Sequence, residues 1–185
     1  MRSFIAVELP ENVKEAIGNY IDSLGELIDN VKWVAPGNLH LTIKFLGDVK
    51  ESDVRNINDC ILNASSESSP FVIGLSHIGF FPSRKNPRVI WLRVDGGEDC
   101  LIDIFHDLEN HLDKLGFDRE SRTFSPHLTI GRVKRHKRII VPGDLPEFST
   151  VTFDVDSIAL IKSTLTPRGP VYEKLFEGEM KRIEE

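Results

Sequence analysis

Polar and apolar positions alternate from Leu39 onward, with Leu41, Ile43 and Phe45 on one side of the chain and His40, Thr42 and Lys44 on the other. A period of two predicts a half-buried strand. The pattern returns at His127–Val133, where Leu128 and Ile130 share one face and His127 and Thr129 the other. Elsewhere the spacing widens to that of a helix. Val13, Ile17, Tyr20, Ile21, Leu24, Leu27 and Ile28 recur at helical intervals after Pro10. Val54, Ile57 and Ile61 predict a second helix over about 52–64, followed by a Ser-rich turn at 65–70. Leu101, Ile104, Leu108, Leu112 and Leu115 predict a third over 98–115, with acidic residues in its first turn and Gly116 stopping it. Short β-type runs over 4–9, from Phe71, and over 89–94 fill the intervals.

Laid side by side, the two halves match three times. FIAVEL from Phe4 pairs with VIWLRV from Val89, HLTI from His40 with HLTI from His127, and SHIGFFPS from Ser76 with DSIALIKS from Asp156. Subtracting start positions gives offsets of 85, 87 and 80, a drift of loop size. An identical tetrapeptide in the same strand context, within halves that share their order of elements, implies a duplicated α+β unit related by a pseudo-two-fold axis. Residues 1–185 are expected to form one bilobal domain of two interleaved lobes.

Composition narrows the classes. Hydrophobic residues at 40% and charged residues at 28% suit a globular chain with a real core and exclude intrinsic disorder. No apolar run is long enough to span a bilayer, and the opening MRSFIAVELP is too short for a signal sequence, so a cytoplasmic protein without membrane contact is expected. Cys60 and Cys100 stand apart without CxxC or Cys/His clustering, which argues against a disulfide framework or zinc module and assigns both to the core. A net charge of -6 excludes broad electrostatic attraction to nucleic acid. Any phosphate site must be local. Arg132–Arg138, with five Lys or Arg in seven residues, and Arg84, Lys85 and Arg88 are the two basic runs, and a solvated loop explains them equally well.

If the duplicated strands face one another, two His and two Thr converge. One imidazole can be neutral and accept a proton while the other is charged and donates one. Thr hydroxyls two positions away on the same strand face can donate to non-bridging phosphate oxygens. That set suits in-line attack at phosphorus. No metal or cofactor is expected: the carboxylates are scattered, HExxH and the nucleotide P-loop are missing, and His106 with His111 are five apart and share no helix face. A lone strand His is ordinary, but chance must explain the motif twice. His77, His106, His111 and His136 have no matching partner and are assigned to surface or packing.

Trp33 to Gly47, Ser125 to Arg132 with the second HLTI, the opening FIAVELP and the closing Ser163 to Tyr172 together resemble the two-histidine phosphoesterase superfamily, in particular the LigT-like RNA 2′,3′-cyclic phosphodiesterases, once called 2′-5′ RNA ligases. The resemblance implies antiparallel sheets lining a central cleft with helices outside. It also implies hydrolysis of RNA 2′,3′-cyclic phosphate ends to 2′-phosphates, with ligation as the reverse reaction. By the same carry-over His40 is the proton donor to the departing 3′ oxygen and His127 the acceptor that activates water. Thr42 and Thr129 hold the phosphate oxygens, and Arg132 is a further anion ligand. RNA ends, tRNA fragments or cyclic nucleotides are the implied partners of a monomer. Trp33, Phe45 and Phe124 are candidates to stack on a base or ribose, although alternation assigns Phe45 to the core. Two alternatives stay open: another cyclic phosphate such as ADP-ribose cyclic phosphate, or an RNA-binding or nucleotide-binding module without turnover.

Overall fold

The computed structural model describes residues 1–181. Among these described residues, nine strands and three helices follow in the order β1 (Arg2–Glu8), α1 (Glu11–Gly25), β2 (Val31–Trp33), β3 (His40–Asp48), α2 (Val54–Ser66), β4 (Phe71–Phe81), β5 (Val89–Asp95), α3 (Glu98–Asp113), β6 (His127–Val133), β7 (Val151–Val155), β8 (Ser157–Thr166) and β9 (Gly169–Glu179). The strands form two antiparallel sheets of order β3-β1-β8-β9 and β2-β6-β5-β4-β7. The α+β class and the paired sheets agree with expectation.

The duplication is visible in this order. Strands β3, β1 and β8 of the first sheet correspond to β6, β5 and β4 of the second, as the three sequence matches require. Register agrees as well. Ala6 pairs with Thr42 on one side and Ala159 on the other, and its counterpart Trp91 pairs with Thr129 and Gly79. Strand β4 comes from the first half but joins the second sheet, while β8 makes the opposite exchange.

Each sheet turns one face inward. Ile5, Leu41 and Ile43 of the first and Leu92, Leu128 and Ile130 of the second belong to one apolar cluster that also takes in the buried stripes of α1, α2 and α3. Helix α1 opens at Pro10 and buries Val13, Ile17, Tyr20, Ile21 and Leu24 at intervals of three and four. Gly18 lets this helix approach the 3-10 turn Pro36–Asn38 that precedes β3; a Cβ there would come within 2.9 Å of the Pro36 ring.

The strongest departure from expectation lies inside the repeated motif. Ala6 faces Thr42 but Ile5 faces Lys44, so Ile43 is an extra residue in β3; likewise Trp91 faces Thr129 and Ile90 faces Gly131, making Ile130 extra in β6. A bulge of this kind leaves two successive residues on the same side and resets the alternation. Lys44 is therefore buried beside Ile43, and Phe45 is turned outward, 63% exposed. The assignment of Phe45 to the core and of Lys44 to the His40 face is thus overturned. In β6 Gly131 stays inward and Arg132 turns out.

Smaller corrections concern ends and fillers. Helix α2 runs to Ser66, taking up part of the expected turn, and α3 ends at Asp113, leaving Leu115 exposed in the turn that follows. Leu27 lies past the end of α1 and is also exposed. Cys60 is buried as expected, but Cys100 is exposed in the first turn of α3.

Candidate active site

His40 begins β3 directly after the 3-10 turn, and its ring is placed by the backbone. Nδ1 lies 2.7 Å from the Asn38 carbonyl oxygen. His127 begins β6 in the same way, with Nδ1 2.8 Å from the Ser125 carbonyl oxygen. A carbonyl can only accept, so Nδ1 carries the hydrogen in both rings and Nε2 is left to exchange a proton. The duplication thus copies an imidazole orientation as well as a residue type.

The rings differ in their surroundings. Phe4 stacks on His40 with centroids 4.6 Å apart, and Tyr172 of β9 stands edge-on to it at 5.0 Å. Phe4, Ala6, Ala159 and Ile161 form a small apolar floor under this side, with Tyr172 packed on it. His127 is exposed and meets the edge of Trp91 at 6.1 Å. Trp91 fits because its cross-strand partner is Gly79, where a Cβ would fall 2.3 Å from the indole.

Charge also distinguishes the two. Across β1, Glu8 faces His40 and binds Lys174 at 2.7 Å; across β5, Arg93 faces His127 and approaches Asp95 at 3.5 Å. Burial pushes the His40 imidazole below its ordinary pKa, while the Asn38 carbonyl and the Glu8 charge act against that shift.

Strand β3 packs against β6, although the two belong to different sheets. Thr42 and Thr129 lie two residues past each histidine on the same face, half-buried. The bulge in β6 adds Arg132 to that face. Burial raises the Tyr172 hydroxyl pKa, and the charges of Arg132 and Arg2 work in the opposite direction. Arg132 pairs with Lys32 of β2, the strand that leads through the Pro36–Asn38 turn to His40.

Behind this face, Lys44 and Glu109 form a buried ion pair between β3 and α3. Lys44 Nζ also donates to the Asp118 carbonyl at 2.9 Å, and Glu109 Oε2 accepts from the Glu120 N–H at 2.9 Å. Both backbone groups lie in the 114–126 connection that leads to His127. The strand of one histidine is thereby tied to the approach of the other.

All five residues singled out from the sequence, His40, Thr42, His127, Thr129 and Arg132, sit on the outward faces of β3 and β6. Phe45 joins them, 6.1 Å from Phe4. Phe124 does not: it stacks on Phe105 of α3 at 4.5 Å. Trp33 packs over Gly131 from β2. Sequence reasoning gave no role to Phe4, Trp91 or Tyr172, and the register of β1 and β5 against the HLTI strands was the available signal for the first two. His106 and His111 remain on α3, where His111 Nδ1 hydrogen-bonds within the helix to the Asp107 carbonyl.

Residues 7–91 and 94–172 match the family described as LigT like Phosphoesterase. The chain belongs to this LigT-like family. A relative from Methanocaldococcus jannaschii, named RNA 2′,3′-cyclic phosphodiesterase, is 38% identical over 96% of this chain and 99% of its own. The crystal structure of TT0787 of Thermus thermophilus superposes with a TM-score of 0.82 at 27% identity, covering all of both chains. E. coli LigT, solved in complex with 3′-AMP, covers 98% of each chain with a TM-score of 0.80 at 24% identity and so speaks to the LigT-like fold alone.

Proposed function

We propose that this LigT-like chain hydrolyses 2′,3′-cyclic phosphate ends of RNA to 2′-phosphates by paired-histidine acid–base catalysis without a metal. The supporting observation is the matched pair of rings: both fix Nδ1–H on a backbone carbonyl and offer Nε2 from neighbouring strands. The names carried by relatives such as the Methanocaldococcus jannaschii protein point to the same substrate.

In this mechanism a water attacks phosphorus opposite O3′. His127 Nε2 takes the water proton as the new P–O bond forms. The P–O3′ bond breaks, and His40 Nε2–H protonates the departing oxygen, leaving a 3′-hydroxyl and a 2′-phosphate. Thr42 and Thr129 donate to the non-bridging oxygens, where charge gathers in the transition state. Arg132 adds a fixed cation on the same face. Burial lowers the His40 pKa, and the negative charge of a bound phosphodiester acts in the opposite direction, favouring the protonated donor.

The test is turnover of a 2′,3′-cyclic nucleotide in excess EDTA, with product identified as the 2′-phosphate. His40→Ala and His127→Ala are each expected to lose a factor on the order of 10²–10⁴ in kcat, the usual effect of removing a positioned acid or base. Absence of turnover by the wild type, or a rate that depends on added divalent ion, would overturn the reading.

A further inference from the structure

The basic surface beyond the end of β6 plays no part in that chemistry. In the sequence it is two runs, one at 84–88 between β4 and β5 and one at 134–138 after β6, and neither contains a carboxylate. The fold makes them one patch. Val133 N–H donates to the Arg88 carbonyl at 3.0 Å, and the Arg88 guanidinium donates to the Lys137 carbonyl at 3.2 Å. Arg84 fastens the other end, donating to the carbonyls of Pro142 and Gly143. A turn closed by Lys137 N–H on the Lys134 carbonyl, with His136 in the left-handed region, presents the second run outward.

Lys85, Arg88, Lys134, Arg135, Lys137 and Arg138 are all exposed. Among the described residues, none of these six has a carboxylate oxygen within 4.0 Å. Unpaired cations brought together from two loops repel one another, so the arrangement favours an anionic occupant. It stands out in a chain whose net charge is -6. Aromatic surface accompanies it: Phe81 is exposed at the start of the first loop, and Arg84 lies over the Phe80 ring.

We propose that these joined loops bind the phosphates of the RNA body upstream of the cyclic end, so that the preferred substrate is an oligoribonucleotide and not a mononucleotide. The inference rests on the proposed phosphodiesterase reading and extends it to substrate length. Arg132 gives the direction. It is continuous with the patch at the end of β6 and pairs with Lys32 of β2, whose chain runs on through the Pro36–Asn38 turn to His40. The patch therefore opens on the His40 side of the cleft. In the proposed mechanism that side holds the terminal ribose, because His40 protonates the ribose oxygen as it leaves. The next phosphates of the strand continue from the same ribose.

The occupant is single-stranded RNA because a flexible backbone can follow two loops, and exposed Phe81 offers a stacking surface that accepts any base. The overall negative charge confines the attraction to the patch, since screening removes it beyond about 10 Å at ordinary salt. Affinity should then rise with the first few nucleotides and level off once the patch is spanned.

The experiment compares a 2′,3′-cyclic mononucleotide with cyclic-ended oligoribonucleotides of increasing length. The variants are the triple Arg135→Glu, Lys137→Glu, Arg138→Glu and the single Lys85→Glu, which tests the other loop. For the wild type, KM should fall with length and rise with salt, each phosphate contact adding about 0.7 to the log–log salt slope. The triple variant should keep mononucleotide kcat/KM within about twofold and lose about tenfold or more on the oligonucleotides at low salt. Lys85→Glu should show a smaller loss of the same selectivity. A length-independent wild type, or variants that lose both substrates equally or neither, would overturn the proposal. Fluorescence anisotropy with a labelled oligonucleotide carrying a 3′-phosphate separates the two readings. Binding weakened by charge reversal supports the track even if turnover is never found, and binding indifferent to it refutes the track even if turnover is robust.

Discussion

The two histidines share a tautomer but not an environment, and that difference is measurable one residue at a time. The folded-state pKa of His40 is lowered chiefly by burial. Its titration by NMR should therefore have a midpoint below that of a histidine in an unstructured peptide. A lowered folded pKa also means that the native state takes up its proton less readily than the unfolded chain. The stability associated with neutral His40 is present above the unfolded pKa and is lost as pH falls through the folded one. Adding a nucleotide 2′-monophosphate should move the His40 midpoint upward; a midpoint indifferent to this ligand would mean that no phosphate sits beside the ring. Phe45 makes a second expectation. It is exposed beside Phe4, which stacks on His40, so it is available to a nucleobase on the substrate. Phe45→Ala should raise KM for a cyclic nucleotide by an amount corresponding to about 1–3 kcal/mol of lost stacking, and Phe45→Trp should retain it. Equal KM values for wild type and Phe45→Ala would remove the residue from the site.

At the scale of elements, the HLTI strands were legible as strands and illegible beyond their fourth residue. Alternation read to the end of β3 puts Phe45 inside and Lys44 outside, and the bulge at Ile43 reverses both. The physical reason was present in the sequence but not local to it: Lys44 turns inward because Glu109, far along the chain on α3, completes an ion pair there. In β6 the corresponding inward position is Gly131, where a Cβ would lie 2.8 Å from the Trp33 and Val31 side chains, so the same bulge is met by close packing instead of charge. The buried pair makes its own prediction. Lys44→Met leaves the Glu109 carboxylate buried without its cation and should cost about 3–5 kcal/mol in denaturant unfolding. The double variant Lys44→Met, Glu109→Leu removes both charges and should recover most of that loss. A double variant as unstable as the single one would show that the hydrogen bonds to Asp118 and Glu120 matter more than the charges.

The whole molecule is a near-symmetric frame carrying an asymmetric reaction. Three short matches were enough to read the duplication, because register within a sheet keeps equivalent positions equivalent; β7 and β9 had no such repeat to reveal them. Symmetry cannot, however, assign acid and base to rings held in the same way. What separates them is across the neighbouring strand, where Glu8 faces His40 and Arg93 faces His127. The Glu8 charge raises the His40 pKa, so Glu8→Gln should lower it further, while Lys174 keeps Glu177 as its remaining partner. Well above both pKa values the rate follows the shrinking fraction of protonated acid; well below both it follows the fraction of deprotonated base. With His40 as the acid, Glu8→Gln should lose rate severalfold on the alkaline limb of the kcat/KM profile and match the wild type on the acid limb. A gain on the acid limb with the alkaline limb unchanged would reverse the assignment, making His40 the base and His127 the donor to the leaving oxygen.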